Sequence, residues 1–180
     1  MSTRSFPGPG GCKPALAGVA AAAILLVGCG SDGSKGPSAK VQDVVGVGYR
    51  FSAPSSWRVR RSGRTVAASS GAVDLVGVTT FPLARRYEPR LWAKVAPALD
   101  RAAVQLTAQL GGRLEARETI VLAGRRARRY EIGYRRSSRR LVERTAFVLD
   151  GRREHQLLCR FQAGGDDGAC RMLFRTFRPE

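Results

Sequence analysis

The chain has 180 residues and a formal net charge of +17, with 31 lysines and arginines against 14 aspartates and glutamates. Its single histidine excludes a metal site built on several histidines. The basic charge predicts an anionic partner, such as phospholipid head groups, an envelope polymer or an acidic protein.

The first 28 residues are typical of a secretory signal, with basic residues ahead of an apolar stretch at residues 15–28. As a helix this stretch would span about 21 Å, against about 30 Å for the hydrocarbon core of a bilayer. A permanent membrane span is therefore not expected here.

The leader ends on a stretch that resembles the bacterial lipobox, in the order Leu26, Val27, Gly28 and Cys29. The resemblance implies cleavage between Gly28 and Cys29 and a diacylglyceryl thioether on the Cys29 sulfur. Because two acyl chains anchor a protein stably, we expect the mature chain at the cell membrane, lipid-anchored on the extracytoplasmic face. Nucleic acid is not expected as a partner there. The alternative is an ordinary secretory signal in which Cys29 is incidental.

The part that follows divides into a tether and one domain. Residues 29–43 are rich in glycine, serine and lysine and predict a lipidated flexible tether with a reach of about 20 Å. Residues 44–180 contain no internal repeat and no second linker, and their length suits a single domain with its own core. We expect this domain to be a monomer without a cofactor.

The domain begins with two β-rich stretches. Residues 46–59 alternate through Tyr49 and Phe51 and turn at Pro54, and residues 72–81 form the second β-rich run. Between these stretches the sequence RRSGRT predicts an exposed turn.

One long helix is predicted from Pro89 to Leu110, and Gly111-Gly112 predicts its end. Pro97 interrupts the pattern, so that either the helix kinks there or Pro97 opens its main segment. The apolar stripe of this helix recurs at spacings of three and four and consists of Leu91, Val95, Leu99, Ala102, Leu106 and Leu110.

A meander of strands follows the helix, with runs at residues 113–122, 126–136, 141–149 and 154–162. The apolar residues that share a face of the second run are Tyr130, Ile132 and Tyr134. Those that share a face of the fourth run are Leu157, Cys159 and Phe161. With a short C-terminal helix the pattern predicts an α+β fold, in which an antiparallel β-sheet meander packs against one long helix and that short helix.

The four cysteines differ in their place in the chain. Cys12 leaves with the leader, and Cys29 carries the lipid. Cys159 lies on the apolar face of a strand and Cys170 on the apolar face of the C-terminal helix, so packing of these faces brings the two sulfurs together. Because disulfides persist outside the cytoplasm, we predict a Cys159–Cys170 disulfide rather than two free thiols.

The order of these elements resembles the PsbP-like fold. The resemblance rests on an opening YRFSAPSSW, one long helix, a strand meander and a closing LLCRF…CRMLFRTF, and it covers most of residues 44–178. This fold is shared by a thylakoid photosystem subunit, a Ran-binding nuclear transport factor and many actinobacterial lipoproteins. The resemblance implies the fold and a non-catalytic binding or scaffolding role, and it implies no catalytic residues.

The most distinctive candidate site is the arginine-rich hairpin at residues 124–144. Guanidinium groups chelate phosphate and carboxylate, so an exposed cluster beside Tyr130 and Tyr134 suits an anion. The predicted anion-binding arginines are Arg135, Arg136, Arg139 and Arg140 at the tip, with Arg128 and Arg129 at the other end of the strand. The alternative is a solvated surface, since charged tips also protect strand edges from aggregation.

The remaining polar residues predict no catalytic or metal site. His155 is expected at the edge of a strand, and Asp166 or Asp167 is expected to cap a helix rather than to bind calcium. The strand carboxylates are expected to pair with nearby arginines rather than to form an acid–base pair, and are Asp74, Glu115, Glu118, Glu131 and Glu143.

Together these features predict a non-catalytic binding module of the cell envelope that docks anionic surfaces or partners through the arginine-rich hairpin. One alternative is a carrier or sensor of a small or lipidic ligand, held in a pocket between helix and sheet. A third is an unrecognised hydrolase.

Overall fold

The computed structural model describes residues 40–180, so the predicted leader, Gly28 and Cys29 lie outside the described residues. The strands are β1 (Val41–Gly46), β2 (Tyr49–Pro54), β3 (Arg58–Ser62), β4 (Thr65–Ser70), β5 (Asp74–Pro82), β6 (Arg113–Leu122), β7 (Arg125–Arg136), β8 (Arg139–Asp150), β9 (Arg153–Gln162) and β10 (Arg178–Pro179). The helices are α1 (Trp92–Gln109), which follows a 3-10 turn at Pro89–Leu91, and α2 (Gly168–Thr176). Nowhere in residues 40–180 is there a helix long and apolar enough to cross a bilayer.

Seven strands form one sheet in the order β3-β4-β5-β9-β8-β7-β6, and three form a smaller sheet in the order β1-β2-β10. All neighbouring strands are antiparallel. The predicted α+β fold, with one long helix and a short C-terminal helix, is confirmed. The structure adds β1, β4 and β10, and β1 begins at Val41, three residues before the predicted start of the domain.

The two helices lie on opposite faces of the seven-stranded sheet. On one face Leu99 of α1 belongs to a buried cluster with Tyr130 and Phe147. On the other face α2 and the small sheet form the largest cluster, which includes Leu173 and Val148. Neighbouring residues of a strand point to opposite faces. Phe147 of β8 therefore packs in the cluster on the α1 side, and Val148 packs in the cluster on the α2 side.

Helix α1 begins at Trp92 and continues through Pro97, so Pro97 does not open its main segment. The helix ends in a Schellman motif, in which the N–H of Gly111 donates to Ala108 and the N–H of Gly112 to Thr107, both at 3.0 Å. Gly111 has a φ of +61°, a conformation that favours glycine. The predicted helix end is therefore confirmed.

The predicted disulfide is also confirmed. Cys159 of β9 and Cys170 of α2 are bonded, and their Cα atoms lie 5.4 Å apart. Both cysteines are buried. The bond therefore ties α2 to the central part of the sheet.

Candidate functional site

The free end of the β7–β8 hairpin carries four exposed arginines, which we call the arginine tip: Arg135, Arg136, Arg139 and Arg140. Arg135 lies directly opposite Arg140 and Arg136 opposite Arg139, with a two-residue turn between the strands. Opposed residues share a face of a hairpin, whereas neighbours along one strand lie on opposite faces. The arginine tip therefore presents one arginine pair on each face.

No carboxylate of the described residues neutralises the arginine tip. The ion pairs of residues 40–180 all involve other arginines, so no carboxylate oxygen there lies within 4.0 Å of a tip nitrogen. Like charges directly opposite each other on neighbouring strands are destabilising. The two arginine pairs thus carry a repulsion that a bound anion would relieve.

The predicted arginines at the other end of β7 are engaged within the domain. Arg128 donates from Nε and Nη2 to Asp100 of α1, at 2.9 and 3.2 Å. Arg129 pairs with Glu118 of the neighbouring strand β6 at 2.5 Å. Of the six predicted anion-binding arginines, Arg128 and Arg129 therefore already hold carboxylates of the domain itself.

Asp100 joins α1 to the sheet, and sequence reasoning missed it. Tyr130 Oη donates to the Asp100 carboxylate at 2.7 Å, beside the two bonds from Arg128. The hydrogen bond from Arg128 is the main reason that the pKa of Asp100 lies below its usual value. A single aspartate within a helix carries no sequence signal that separates it from a solvated one.

A cleft of about 540 Å³, which we call the tip cleft, lies beside the arginine tip. Its charged lining consists of Arg113 and Glu115 from β6 and Arg135 and Arg140 from the arginine tip. The guanidinium group of Arg113 resembles those of the arginine tip in having no carboxylate oxygen of residues 40–180 within 4.0 Å. The tip cleft thus gathers three arginines whose charge is available to a ligand.

A second cleft, of about 660 Å³, lies at the opposite end of the hairpin strands. Two carboxylates line it, Glu88 and Asp150. Asp150 pairs with Arg125 at 3.1 Å, and Glu88 pairs with Arg90 at 2.6 Å. Because these pairs offset part of the positive charge, this cleft suits an anion less well than the tip cleft does.

The strand carboxylates only partly follow the prediction that they pair with arginines. Glu118 pairs with Arg129, and Glu131 pairs with Arg144 at 2.5 Å. The three strand carboxylates with no arginine or lysine nitrogen within 4.0 Å among the described residues are Asp74, Glu115 and Glu143. For Asp74 and Glu115 the predicted pairing is wrong, whereas Glu143 lies opposite Arg160 of β9, whose charge acts on it without a contact this short.

Of the two aspartates predicted to cap α2, Asp167 is the N-cap residue, but its side chain makes no capping hydrogen bond. Asp166 Oδ1 accepts a hydrogen bond from the N–H of Gly168 at 2.9 Å. Asp167 pairs with Arg144 at 2.7 Å. Within residues 40–180 no three side chains of the metal-binding types come together.

His155 is buried in the core, so the prediction of a strand-edge position is wrong. Its strand β9 lies between β5 and β8, and the residue is 0% exposed. Nδ1 lies 3.0 Å from Thr80 Oγ1, while Nε2 has no hydrogen-bond partner among the described residues. The rings of Tyr49 and Phe177 pack edge-on against it, and burial lowers its pKa to about 4.

Protonation of His155 is expected to destabilise the fold in acid. The folded-state pKa of about 4 lies below the ordinary value of 6.5, so the unfolded state takes up the proton first. The stability contributed by neutral His155 is therefore complete above pH 6.5 and is lost as the pH falls towards 4. The loss should be about 1.4 kcal/mol for each pH unit in this window.

Chemical denaturation of the wild type and of His155→Leu across this pH window measures the effect. Burial raises the pKa values of Glu143 and Glu154, so their contributions change with pH in the opposite direction. The quantity to compare is therefore the difference in unfolding free energy between the two proteins. A difference that stays constant with pH would contradict the prediction.

Comparison with known proteins informs the fold. No protein-family model matches the chain, and no curated protein matches it either. A protein of Bacteroides thetaiotaomicron is similar in structure, with a TM-score of 0.52 and 9% identity over 74% of this chain and 45% of that one. LpqN of Mycobacterium tuberculosis, described as involved in cell envelope biogenesis, gives a TM-score of 0.48 and 14% identity over 77% of this chain and 89% of that one.

The likeness to the Bacteroides thetaiotaomicron protein concerns the fold alone, since identity is so low. This chain spans less than half the length of that protein. The PsbP-like resemblance stays a prediction, because no family model matches.

Proposed function

We propose that this chain is a lipid-anchored, non-catalytic binding module of the cell envelope, and that the arginine tip docks its domain on an anionic phospholipid surface. The observation that carries the proposal is the arginine tip itself, an exposed hairpin end at which two arginines of β7 lie opposite two arginines of β8. Guanidinium groups bind phosphate oxygens through paired N–H donors. The lipid on Cys29 and the PsbP-like character of the domain belong to the proposal and rest on the sequence.

The place where the chain enters the domain supports this orientation. The carbonyl of Lys40 accepts a hydrogen bond from the N–H of Ser55, just before strand β3, at 2.9 Å. The strand pairings align Arg58, the first residue of β3, with Ile132 of β7 across the sheet. Ser55 precedes Arg58 at the same end of the sheet at which the arginine tip follows Ile132. Lys40, where the chain enters the domain, therefore lies at the same end of the sheet as the arginine tip. A lipid attached before residue 40 would therefore be linked to the domain at the end that carries the arginine tip.

The number of arginines also favours a surface over a single small anion. One arginine pair lies on each face of the hairpin, so several phosphates are needed to meet all four. Each basic residue near an anionic membrane contributes about 1 kcal/mol, and only within a Debye length of about 8 Å. Four arginines at one protruding end meet that condition together.

The alternatives have less support from the described residues. A carrier would hold its ligand between α1 and the sheet. Buried side chains already pack against each other there, and they are Leu99, Ala103, Tyr130 and Phe147. A hydrolase that used a histidine base would need it exposed to substrate, and His155 is buried. We therefore propose binding rather than catalysis.

Vesicle binding by residues 40–180 tests the proposal. The members of the three buried clusters lie within residues 44–177, so this segment contains its own core. We expect tighter binding to vesicles that contain phosphatidylglycerol than to pure phosphatidylcholine vesicles, and a steep loss of binding as salt is raised. Equal affinity for both vesicles would contradict the proposed docking.

A further inference from the structure

The tip cleft contains an acceptor as well as donors. Strands β6 and β7 pair Leu114 with Ile132 and Ala116 with Glu131, so Glu115 is an extra residue in a bulge. Its carboxylate lies over Gly133, because a Cβ at position 133 would collide with the Glu115 carboxyl group. The absence of a side chain at Gly133 therefore makes room for the carboxylate in the cleft.

The carboxylate of Glu115 is close to arginines without pairing with them. It lines the same cleft as Arg113, Arg135 and Arg140. No arginine or lysine nitrogen of residues 40–180 lies within 4.0 Å of it. The cleft thus offers positive donors and a negative acceptor at separate positions.

These groups select the chemistry of a ligand. Arg135 and Arg140 face each other across the hairpin and suit the oxygens of one phosphate. A carboxylate accepts hydrogen bonds and donates none, so Glu115 needs a ligand with hydroxyl or ammonium donors. The three arginines repel an ammonium group, whereas a hydroxyl group carries no charge to be repelled.

We infer that the tip cleft is a head-group site for a phosphodiester lipid whose head group carries hydroxyl groups. Arg135 and Arg140 bind the phosphodiester, and Glu115 accepts a hydrogen bond from a head-group hydroxyl. This inference rests on the proposed docking of the arginine tip on phospholipid and names the lipid class that the docking prefers.

Two lipids of equal charge test the inference. Phosphatidylglycerol and phosphatidylmethanol are both phosphodiesters with a single negative charge, and only the first has head-group hydroxyls. The wild-type domain, residues 40–180, should bind vesicles of the first about tenfold more tightly, the size expected for one hydrogen bond to a charged group. Equal affinity of the wild type for the two vesicles would overturn the inference.

Two variants weaken the acceptor by different routes. Glu115→Gln removes the negative charge but keeps a neutral carbonyl acceptor, and Gly133→Ala places a methyl group where the Glu115 carboxylate lies without changing any charge. Glu115→Gln should lower the preference for phosphatidylglycerol to about threefold, because a neutral hydrogen bond is weaker than one to a charged group, and Gly133→Ala should lower it to about onefold. Glu115→Gln should also tighten binding to phosphatidylmethanol vesicles, since a repulsive charge is gone.

The matched control is Glu118→Gln, which removes a β6 carboxylate that pairs with Arg129 and does not line the cleft. It should keep the preference. If the full tenfold preference survives in both Glu115→Gln and Gly133→Ala, the acceptor role of Glu115 is overturned while the docking stands. If the wild type binds neither anionic vesicle better than phosphatidylcholine, the docking itself fails.

A soluble competitor identifies the source of the head group. Glycerophosphoglycerol has the same phosphodiester and hydroxyls without acyl chains. Displacement of the domain from vesicles by glycerophosphoglycerol, and not by methyl glycerophosphate, would show that the cleft binds the free head group as well as the lipid. Retention of the vesicle preference without displacement would restrict the site to membrane lipid, and both results support the inference.

Discussion

Replacing the whole arginine tip by serine is expected to weaken binding to anionic vesicles by roughly 100- to 1000-fold. The variant carries Arg135→Ser, Arg136→Ser, Arg139→Ser and Arg140→Ser. Each of these arginines contributes about 1 kcal/mol near an anionic surface, and all four lie on one exposed hairpin end. The fold should be kept, because the substitutions remove opposed like charges and no ion pair. Vesicle flotation across a range of lipid concentrations gives the two affinities.

The control must lose the same charge elsewhere. Four exposed arginines without ion pairs among the described residues lie away from the tip, and are Arg60, Arg64, Arg85 and Arg86. Serine at these four positions should weaken binding only slightly, because charges more than a Debye length from the surface are screened. If both variants lose affinity equally, net charge rather than the arginine tip drives binding.

Removing the disulfide is expected to lower the free energy of unfolding by about 3 kcal/mol. Cys159 and Cys170 are separated by 11 positions in the chain, and closing a loop of this size restricts the unfolded state by that amount. Both sulfurs are buried between β9 and α2, so their replacement also leaves packing defects. Urea unfolding of the double variant Cys159→Ala, Cys170→Ala against the wild type measures the loss.

Reductant provides the control for this prediction. Reductant in the urea series should lower the free energy of unfolding of the wild type towards that of the double variant. It should leave the free energy of unfolding of the double variant unchanged. Vesicle binding of the folded double variant should equal that of the wild type, because the disulfide lies away from the arginine tip. A double variant as stable as the wild type would mean that the disulfide does not hold α2 in place.

Elements with a strong apolar period could be predicted from the sequence. The apolar residues predicted to share a face of β7 and of β9 are buried as expected, whereas only Leu99 of the predicted α1 stripe is buried and its other members are half-buried. Strand β4 was missed because its residues, TVAASS, are small and give little contrast between faces. Strand β1 was missed because its burial alternates weakly, with Val41 and Val45 exposed.

The candidate site could be predicted only in part. The arginine tip could be predicted because its four arginines lie close together in the sequence, on both sides of a two-residue turn. Which arginines already hold a carboxylate depends on contacts from other elements, such as Asp100 of α1 on Arg128. Glu115 enters the cleft through a bulge, and no residue pattern in β6 marks where the register shifts.

His155 illustrates a different limit. A lone histidine in a run of polar and apolar residues gives no sign of how many strands lie on each side of its own. The strand order β5-β9-β8 comes from long-range pairing, and it places His155 in the interior of the sheet. Local sequence contains no information on that pairing.

We expect the end of the sheet that carries the arginine tip to face an anionic membrane. Paramagnetic broadening of backbone amide NMR signals by a gadolinium-chelating lipid in phosphatidylglycerol vesicles measures which residues lie nearest the membrane. The strongest broadening is expected at residues 135–140 and the weakest at the hairpin turns around Gly124 and Gly151, at the opposite end. Broadening that is strongest around Gly124 and Gly151, or uniform over the domain, would contradict it.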